Sequence, residues 1–482
     1  MNPSQHQLVD SLRARFGAGI AETDPQMLAP WLADWRGRFQ GATPAMLSPS
    51  SLEEVQAVLA QAGAFAVPLV PQGGNTSMVG GATPPADGSA VILSLRRMNR
   101  IRSISPEDSL AIAEAGVILA DFHDAAGAIG RRFPLDLGSR GSATIGGLAS
   151  TNAGGTQVLR WGTMRALVAG VEAVLPDGSV HDGLSALKKD NRGYDLNQLL
   201  IGAEGTLGVI TAATLRLVPA VATRAVAWAA MESPDQALSL LRRIERQTDA
   251  VESFEIMPAE ALASVLAHIP GTRAPVDAKH RWHVLIEAVA TDAGDRAPED
   301  LLADLLRQPL EAGLVGDAVV SASEAQAEAF WRIRHGISES ERARGAAVQH
   351  DISAPVDAMP RFMREAGAAI EARFAGTQAV AYGHLGDGNV HFHVRAPVAA
   401  DRGHWYASEA PAITRAVHDL VVQAGGSISA EHGIGQMKRD ELERLGPASR
   451  VATLRAIKRA LDPAVLLNPG KLVTLARRLD RS

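Results

Sequence analysis

The spacing of apolar and polar positions predicts strands and tight turns in the first half of the chain. Between residues 51 and 220 the runs AVPLVP, AVILSL, LAIAEAG and GVEAVLPDG are short and apolar, with Gly, Pro or Asp nearby, which is typical of strands. One helix is expected in this region, because Ser51 precedes LEEVQAVLAQA and Glu54 follows at the capping-box spacing.

The next part of the chain predicts helices that alternate with strands. Apolar residues recur at i, i+3 and i+4 in PDQALSLLRRIERQ, AEALASVLAHI, PEDLLADLLRQPLEAG and DAMPRFMREAGAAIEARFAG, the pattern of amphipathic helices. We interpret RWHVLIEAVA and TQAVAYGHLGDGNVHFHVRAP as strands between them. Helices separated by strands predict an antiparallel sheet, so the expected fold class is α+β.

Composition and charge exclude several classes of function. The 482 residues include 47 Lys and Arg against 53 Asp and Glu, a net charge of −6, which argues against a general nucleic-acid binder. The lack of cysteine excludes disulfides, zinc–thiolate sites and a thiolate nucleophile. The sequence has no apolar run of about 18 residues and no secretion signal at its start. We therefore expect a cytoplasmic chain of roughly two to three domains with no membrane span.

Three glycine-rich loops predict a site for a large phosphate-bearing ligand. They are PQGGNTSMVGG (71–81), DLGSRGSATIGGLASTNAGG (136–155) and GAEGTLGVI (202–210). Glycine lets the backbone approach a ligand, and consecutive N–H groups form a concave anion site. One such loop alone is more often a set of tight turns, but a diphosphate cofactor needs many donors from several loops. The usual dinucleotide and P-loop motifs do not occur in the sequence.

A cluster of histidines predicts a metal site. Three of the 14 histidines lie in YGHLGDGNVHFH (382–393), and another lies in SAEHGIG (429–435). Residues i and i+2 of a strand share a face, so His391 and His393 point the same way, and a hairpin can bring His384 across from them. Imidazoles with one carboxylate suit Zn²⁺ or another divalent first-row ion. Hydrogen-bonded core histidines are the alternative interpretation.

The glycine loops resemble the FAD-binding domain of the vanillyl-alcohol oxidase/PCMH flavoprotein family. With YGHLGDGNVHFHV, SAEHGIGQMKR and the closing motif LDPAVLLNPGK, the chain resembles the branch of D-lactate dehydrogenases, the glycolate oxidase FAD subunit and D-2-hydroxyglutarate dehydrogenase, over residues 40–475. The resemblance implies an N-terminal helical segment (1–50), a PCMH-type FAD-binding domain (51–220), an antiparallel-sheet, ferredoxin-like substrate domain (221–425) and a C-terminal segment that packs on the FAD domain (426–482).

The resemblance implies FAD as the cofactor. Asn75 stands where some members carry the histidine that bonds covalently to FAD, and cysteine is absent, so we expect FAD to be bound non-covalently. Asn468 of the closing motif is the candidate contact of the flavin ring. The expected FAD-binding residues are Pro71, Gln72, Gly73, Gly74, Asn75, Thr76, Ser77, Gly80, Gly81, Asp136, Gly138, Gly141, Ser142, Thr144, Gly146, Gly147, Thr151, Asn152, Gly154, Glu204, Gly205, Gly208, Val209, Ile210 and Asn468.

The resemblance also assigns residues to the reaction. His384, His391 and Glu431 match the metal ligands of the family, with zinc as the expected ion, and His432 matches the catalytic base. The metal would lower the pKa of the substrate 2-hydroxyl group, a neutral histidine would take its proton, and flavin N5 would accept the hydride. The expected substrate-binding residues are Arg334, Ser338, Gln349 and His393.

Two of these positions depart from the D-2-hydroxyglutarate enzymes, which have Lys at Gln349 and Asn at His393. The lead expectation is an FAD-dependent dehydrogenase of D-2-hydroxyglutarate, with D-lactate or D-malate as alternatives. An oxidase, a glycolate-oxidase-like FAD subunit and a non-catalytic binding module are the alternatives from other classes.

The expected partners are a small 2-hydroxy acid and an electron acceptor such as electron-transfer flavoprotein or quinone, with no nucleic acid; a homodimer is left open.

Overall fold

The structure, a computed structural model, describes residues 1–277, 279–398 and 400–475. The chain divides into two compact units. The first comprises Met1–Gly155, Gly162–Pro219 and the described part of Glu431–Ser482, and the second comprises Thr156–Trp161 and Ala220–Ala430. Antiparallel sheets with helices packed on them confirm the α+β class. Among the described residues, no helix combines the length and apolar character needed to cross a membrane.

The strands and helices have the following bounds. The strands are β1 (Ala21–Glu22), β2 (Met46–Leu47), β3 (Leu69–Gln72), β4 (Val91–Ser94), β5 (Ile101–Ser105), β6 (Leu110–Glu114), β7 (Arg131–Arg132), β8 (Val168–Val174), β9 (Val180–Asp182), β10 (Val209–Arg216), β11 (Val218–Pro219), β12 (Thr223–Met231), β13 (Val251–Pro258), β14 (Trp282–Ala290), β15 (Asp317–Val320), β16 (Ala347–Ser353), β17 (Gln378–His384) and β18 (Asn389–Arg395). The helices are α1 (Pro3–Phe16), α2 (Pro25–Leu28), α3 (Leu52–Ala64), α4 (Leu119–Gly127), α5 (Ile145–Thr151), α6 (Val158–Trp161), α7 (Met164–Leu167), α8 (Leu196–Leu200), α9 (Pro234–Glu245), α10 (Ala259–His268), α11 (Pro298–Glu311), α12 (Glu324–Arg344), α13 (Met359–Arg373), α14 (Arg402–Ser408), α15 (Ala410–Gln423), α16 (Arg439–Leu445) and α17 (Ala448–Leu461).

Two main sheets form the first unit. The smaller has the order β1-β2-β4-β3, in which β2 and β3 both run parallel to β4. The larger is antiparallel, with the order β5-β6-β10-β8-β9. Helices α1 and α3 bury Leu8 and Val58 against the smaller sheet, together with Leu69 and Leu93 of its strands. The apolar runs predicted as strands between residues 66 and 178 therefore contain strands, and the first glycine loop follows directly on β3.

Helix α3 begins where the sequence predicts. The Ser51 hydroxyl accepts a hydrogen bond from the Glu54 N–H at 3.2 Å. The reciprocal bond differs from the expected capping box, because the Glu54 carboxylate accepts from the N–H of Ser50 at 2.6 Å. The Glu54 carboxylate thus binds the N–H group of Ser50 instead of that of Ser51, and it still satisfies a backbone donor ahead of the helix.

After α17 the chain returns to the smaller sheet of the first unit. Leu69 donates its N–H to the Leu466 carbonyl at 2.8 Å and accepts from the Asn468 N–H at 2.7 Å, so this segment adds a parallel bridge beside β3. The buried ammonium group of Lys458 holds the turn, donating to the carbonyls of Thr206 and Leu467 and to Asp462 at 2.5–2.9 Å. The closing motif is thereby fixed beside the loops that follow β3 and α8.

The second unit is a seven-stranded sheet with helices on both faces. Its order is β15-β12-β14-β13-β17-β18-β16, and every neighbouring pair is antiparallel. Helices α9, α11, α13 and α15 cover one face around Phe254 and Phe392. Helices α10 and α12 cover part of the other face around Trp228 and Tyr382. Strands β17 and β18 form the hairpin that the sequence predicts, and its link needs glycine, because Gly388 has φ +83° and a Cβ there would lie 2.2 Å from the Ala354 oxygen.

Candidate active site

The histidine motif lies on one face of the second unit's sheet. Pairing of β17, β18 and β16 places His391 opposite both Tyr382 and Asp351. The last residue of β17 is His384, and its ring centroid lies 5.4 Å from that of His391 at an interplanar angle of 76°. The hairpin thus brings together two of the three side chains that we expect to bind a metal. The third, Glu431, belongs to the first unit.

Carboxylates surround these two imidazoles. The Nδ1 atom of His384 lies 2.6 Å from Oε1 of Glu255, and Nδ1 of His391 lies 4.0 Å from Oδ1 of Asp351. The Nδ2 group of Asn389 donates to Asp351 at 2.9 Å and fixes that carboxylate. The contact of His384 with Glu255 is of the kind that orients the second nitrogen of a metal-binding histidine. The donor set therefore fits a divalent cation.

Burial and local charge set the protonation of this cluster. Burial lowers the pKa of His391 well below its usual value, with His384 and Arg334 acting in the same direction, so the ring is neutral at pH 7. Burial by itself raises the pKa of Glu255, but His384 and Arg334 outweigh it, and the pKa is lowered. Burial raises the pKa of Asp387 in the hairpin link.

Helix α12 carries Arg334, Ser338 and Glu341 at i, i+4 and i+7, which places them on one helix face. The Nε–H of Arg334 donates to Glu255 at 2.7 Å, and the guanidinium carbon lies 5.1 Å from the Tyr382 ring centroid. Among the residues that the structure describes, buried Nη2 of Arg334 has no hydrogen-bond partner. The Ser338 hydroxyl lies 3.1 Å from the Tyr382 hydroxyl. A guanidinium held at Nε, with a buried N–H group still to satisfy, fits a carboxylate ligand.

A second buried ion pair lies beside His393. The His393 ring packs edge-on against Tyr382 with centroids 5.2 Å apart, and pairing places it opposite Gln349. Its Nδ1 atom lies 3.9 Å from Oε2 of Glu341, and that oxygen accepts a hydrogen bond from Nε of Arg395 at 2.9 Å. The two positions that depart from the family pattern, Gln349 and His393, are therefore cross-strand neighbours.

Acidification is expected to weaken the second unit through Glu341. Burial by itself raises the pKa of this carboxyl, but the neighbouring His393 and the hydrogen-bonded Arg395 outweigh it and lower the pKa to about 2. Because this value lies below that of an unfolded chain, the stabilisation is complete above about pH 4.5 and disappears as the pH falls toward 2, about 3 kcal/mol in all. Urea unfolding between pH 6 and 3 measures it: the difference between wild type and Glu341→Gln should shrink on acidification, and a constant difference would contradict the assignment.

The glycine loops of the first unit pack directly on one another. A Cβ at Gly74 would lie 1.8 Å from the Ser142 carbonyl oxygen, and one at Gly73 would lie 2.2 Å from Oγ1 of Thr144. In contrast, a Cβ at Gly138 or Gly141 would meet no atom within 4 Å. Some glycines of the loops therefore allow backbone segments to touch, and others border open space that a ligand can approach.

Buried amide groups mark the edge of these loops. The side-chain N–H₂ of Asn468 donates to the carbonyls of Gly81 and Glu204 at 2.9 and 2.7 Å, and that of Gln72 donates to the Ala82 carbonyl at 2.9 Å. Within the described residues, the buried oxygens Oδ1 of Asn468 and Oε1 of Gln72 accept no hydrogen bond. The two unsatisfied oxygens can accept a hydrogen bond from a ring N–H group of FAD. The glycine backbone N–H groups beside them can donate to its diphosphate.

The segment that follows His432 is anchored on these loops. Both oxygens of the Glu204 carboxylate accept backbone N–H groups, from Ile434 and Gly435, at 2.7 Å each. The N–H of Gln436 donates to the Val79 carbonyl at 3.0 Å. Burial raises the pKa of Glu204 against these hydrogen bonds. The predicted base therefore directly precedes backbone that is fixed to two of the predicted FAD loops.

Sequence reasoning missed Tyr382, Asp351 and Glu255 as parts of the cluster. Tyr382 precedes His384 by two residues on a strand, so the period of two placed it on the same face. The signal for Glu255 was a charge in the otherwise apolar run SFEIMP, since buried charges require partners. Its pairing with His384, 129 positions away, has no local signal.

Comparisons with known proteins agree with the family resemblance. Residues 43–183 match the model of the "FAD binding domain", and residues 221–472 match that of "FAD linked oxidases, C-terminal domain". The chain is 38% identical to D-2-hydroxyglutarate dehydrogenase of Xanthomonas citri pv. viticola, covering 96% of both chains. It is 37% identical to the mitochondrial D-2-hydroxyglutarate dehydrogenase of Arabidopsis thaliana, covering 93% of this chain and 78% of that protein.

Structural similarity supports the same fold. The structure of p-cresol methylhydroxylase with bound substrate superposes with a TM-score of 0.75 at 17% identity, covering 98% of this chain and 97% of that one. This similarity confirms the expected PCMH-type fold. The chain belongs to the family of FAD-linked oxidases that includes the D-2-hydroxyglutarate dehydrogenases, and it is an FAD-dependent oxidoreductase.

Proposed function

We propose that this protein is a dehydrogenase that oxidises a D-2-hydroxy acid, with D-2-hydroxyglutarate as the lead substrate, to the 2-oxo acid. The observation that supports this most directly is the attachment of the segment after His432 to the FAD loops through Glu204. A base held in this way stays close to the cofactor that must be reduced. The relatives at 38% and 37% identity are D-2-hydroxyglutarate dehydrogenases.

The residues of the second unit would bind and orient the substrate. Arg334 binds a carboxylate through its terminal N–H groups, because Nε is already engaged by Glu255. The hydroxyl of Ser338, 3.1 Å from the Tyr382 hydroxyl, adds a donor beside it. His432, a residue of the first unit, accepts the proton of the substrate 2-hydroxyl group.

FAD and a divalent metal complete the proposal. When bound, FAD accepts a hydride from the substrate at N5. FAD is held without a covalent bond by the glycine loops and Asn468, since Asn75 occupies the position of the tethering histidine and donates instead to the Ala33 carbonyl at 3.0 Å. The proposed metal is zinc, with His384 and His391 as ligands and Glu431 of the first unit as the third. A bound divalent metal lowers the pKa of a coordinated hydroxyl group.

A second candidate substrate class follows from Gln349 and His393. These cross-strand neighbours carry an amide and an imidazole. The lysine ammonium group that the D-2-hydroxyglutarate enzymes have at the position of Gln349 would pair better with the second carboxylate of that substrate. D-lactate, which has one carboxylate, is therefore the main alternative substrate to D-2-hydroxyglutarate. D-malate is a further alternative. Electron-transfer flavoprotein or a quinone is the proposed electron acceptor.

Anaerobic mixing of the holoprotein with single enantiomers tests the function. We expect the flavin absorbance to bleach with D-2-hydroxyglutarate, and not with the L-enantiomer, and to stay unbleached after a chelator removes the metal. Faster bleaching by D-lactate would move the assignment to the alternative substrate. Fast reoxidation in air would indicate an oxidase, and a flavin that no 2-hydroxy acid reduces would refute the proposal.

A further inference from the structure

Glu255 makes two bonds that join two parts of the proposed site. Its Oε1 atom lies 2.6 Å from Nδ1 of His384, and its Oε2 atom accepts from Nε of Arg334 at 2.7 Å. The side chain of Glu255 is fully buried, and those of His384 and Arg334 are 10% and 8% exposed. The Glu255 carboxylate therefore contacts the proposed metal ligand His384 with one oxygen and the proposed substrate-binding Arg334 with the other.

We infer that Glu255 is a positioning residue that sets both the metal-binding nitrogen of His384 and the carboxylate-binding end of Arg334. The inference rests on the proposed function and adds a residue to it. Because Nδ1 of His384 is engaged by Glu255, Nε2 is the nitrogen through which this ring binds a metal. Because Nε of Arg334 is engaged, its terminal nitrogens are the ones that meet the substrate, and Nη2 is buried with no partner among the described residues.

The charge of Glu255 matters as well as its geometry. Arg334 carries a permanent positive charge, and a second cation beside it is unfavourable in a buried site. The Glu255 carboxylate compensates this charge and polarises the imidazole, which raises the basicity of the ligating nitrogen. Loss of the charge would thus weaken metal binding and loosen the arginine in one step.

Glu252 provides a matched control on the same strand. It is also a buried glutamate of β13 and accepts from Nη1 of Arg160 at 3.0 Å and from the Trp161 indole at 2.9 Å. A break in the β13–β14 register between Val251 and Ser253 separates it from Glu255, and its two partners belong to helix α6 and not to the histidine cluster. Replacement of either glutamate breaks a buried ion pair, but only Glu255 contacts residues of the proposed site.

The experiment compares Glu255→Gln and Glu252→Gln as FAD-loaded proteins. For Glu255→Gln we expect zinc affinity, measured by competition with a chromophoric chelator, to fall about 10-fold to 100-fold, and the KM for the 2-hydroxy acid to rise. The visible spectrum of the Co²⁺-loaded protein should change, whereas FAD released by acid should stay at one per chain. Glu252→Gln should keep the zinc affinity, the Co²⁺ spectrum and the KM of wild type, even where its melting temperature falls.

Each outcome separates this inference from the proposed function. If wild type binds zinc and bleaches with substrate, but Glu255→Gln equals it in zinc affinity and KM, only the role of Glu255 is overturned. If wild type binds no divalent metal, the proposed metal site and this inference both fall. Should Glu255→Gln fail to fold, Glu255→Asp keeps the charge but is one methylene shorter, so it should lose one of the two contacts. Unchanged zinc affinity and KM in that variant would also overturn the inference.

Discussion

Flavin reduction in His432→Ala is expected to be at least about 10²-fold slower than in wild type, because general bases contribute about 10² to 10⁴ to rate. The variant should fold and hold FAD, since the adjacent backbone is fixed through Glu204 rather than through the imidazole. Stopped-flow absorbance under anaerobic conditions, with saturating D-2-hydroxyglutarate, measures this step separately from reoxidation.

His181→Ala is the control for this experiment. His181 lies on β9 in the same unit, and its Nε2 atom is 3.0 Å from Oδ1 of Asn197, so its loss removes a hydrogen-bonded histidine outside the proposed site. We expect its flavin reduction rate to equal that of wild type. A His432→Ala rate within a few-fold of wild type, with FAD fully bound, would show that another group takes the proton.

Local patterns in the sequence were sufficient to predict the elements that carry the site. The period of two in AVAYGH and VHFHV, with a glycine link, predicted the β17–β18 hairpin, and the structure pairs Tyr382 with His391 accordingly. Helix α9 lies within PDQALSLLRRIERQ and has a capping box of Ser233 and Gln236. These features depend on neighbouring residues, so a single sequence contains the information.

Long-range contacts were not predictable in the same way. The sequence suggested Glu204 as part of an FAD loop, but its carboxylate is bound to backbone about 230 positions later. Residues 156–161 cluster with the second unit although their neighbours on both sides belong to the first, and the bonds of Arg160 and Trp161 to Glu252 show what holds them. Such contacts depend on which strands become neighbours, and local propensity does not encode that pairing.

Arg334→Ala is expected to lower kcat/KM for a 2-hydroxy acid about 10²-fold to 10³-fold. Hydrogen bonds to charged groups contribute about 1.5–3 kcal/mol each, and the variant would lose both terminal N–H contacts that we propose for the substrate carboxylate. The effect should be mainly on KM, because His432 and the FAD loops are unchanged. Added guanidinium should restore part of the activity, since the truncated side chain leaves room for it beside Glu255 and Tyr382.

Arg332→Ala is the matched control, since it removes an arginine from the same helix. Arg332 is exposed and donates to the Pro270 carbonyl at 2.8 Å, and two positions along a helix place it on a different face from Arg334. We expect wild-type KM for this variant and no response to guanidinium. If both variants raise KM equally, loss of helix charge explains the effect and Arg334 does not bind the carboxylate. A 2-hydroxy amide provides a second check: without a carboxylate to bind, it should be a poor substrate for wild type and Arg334→Ala alike.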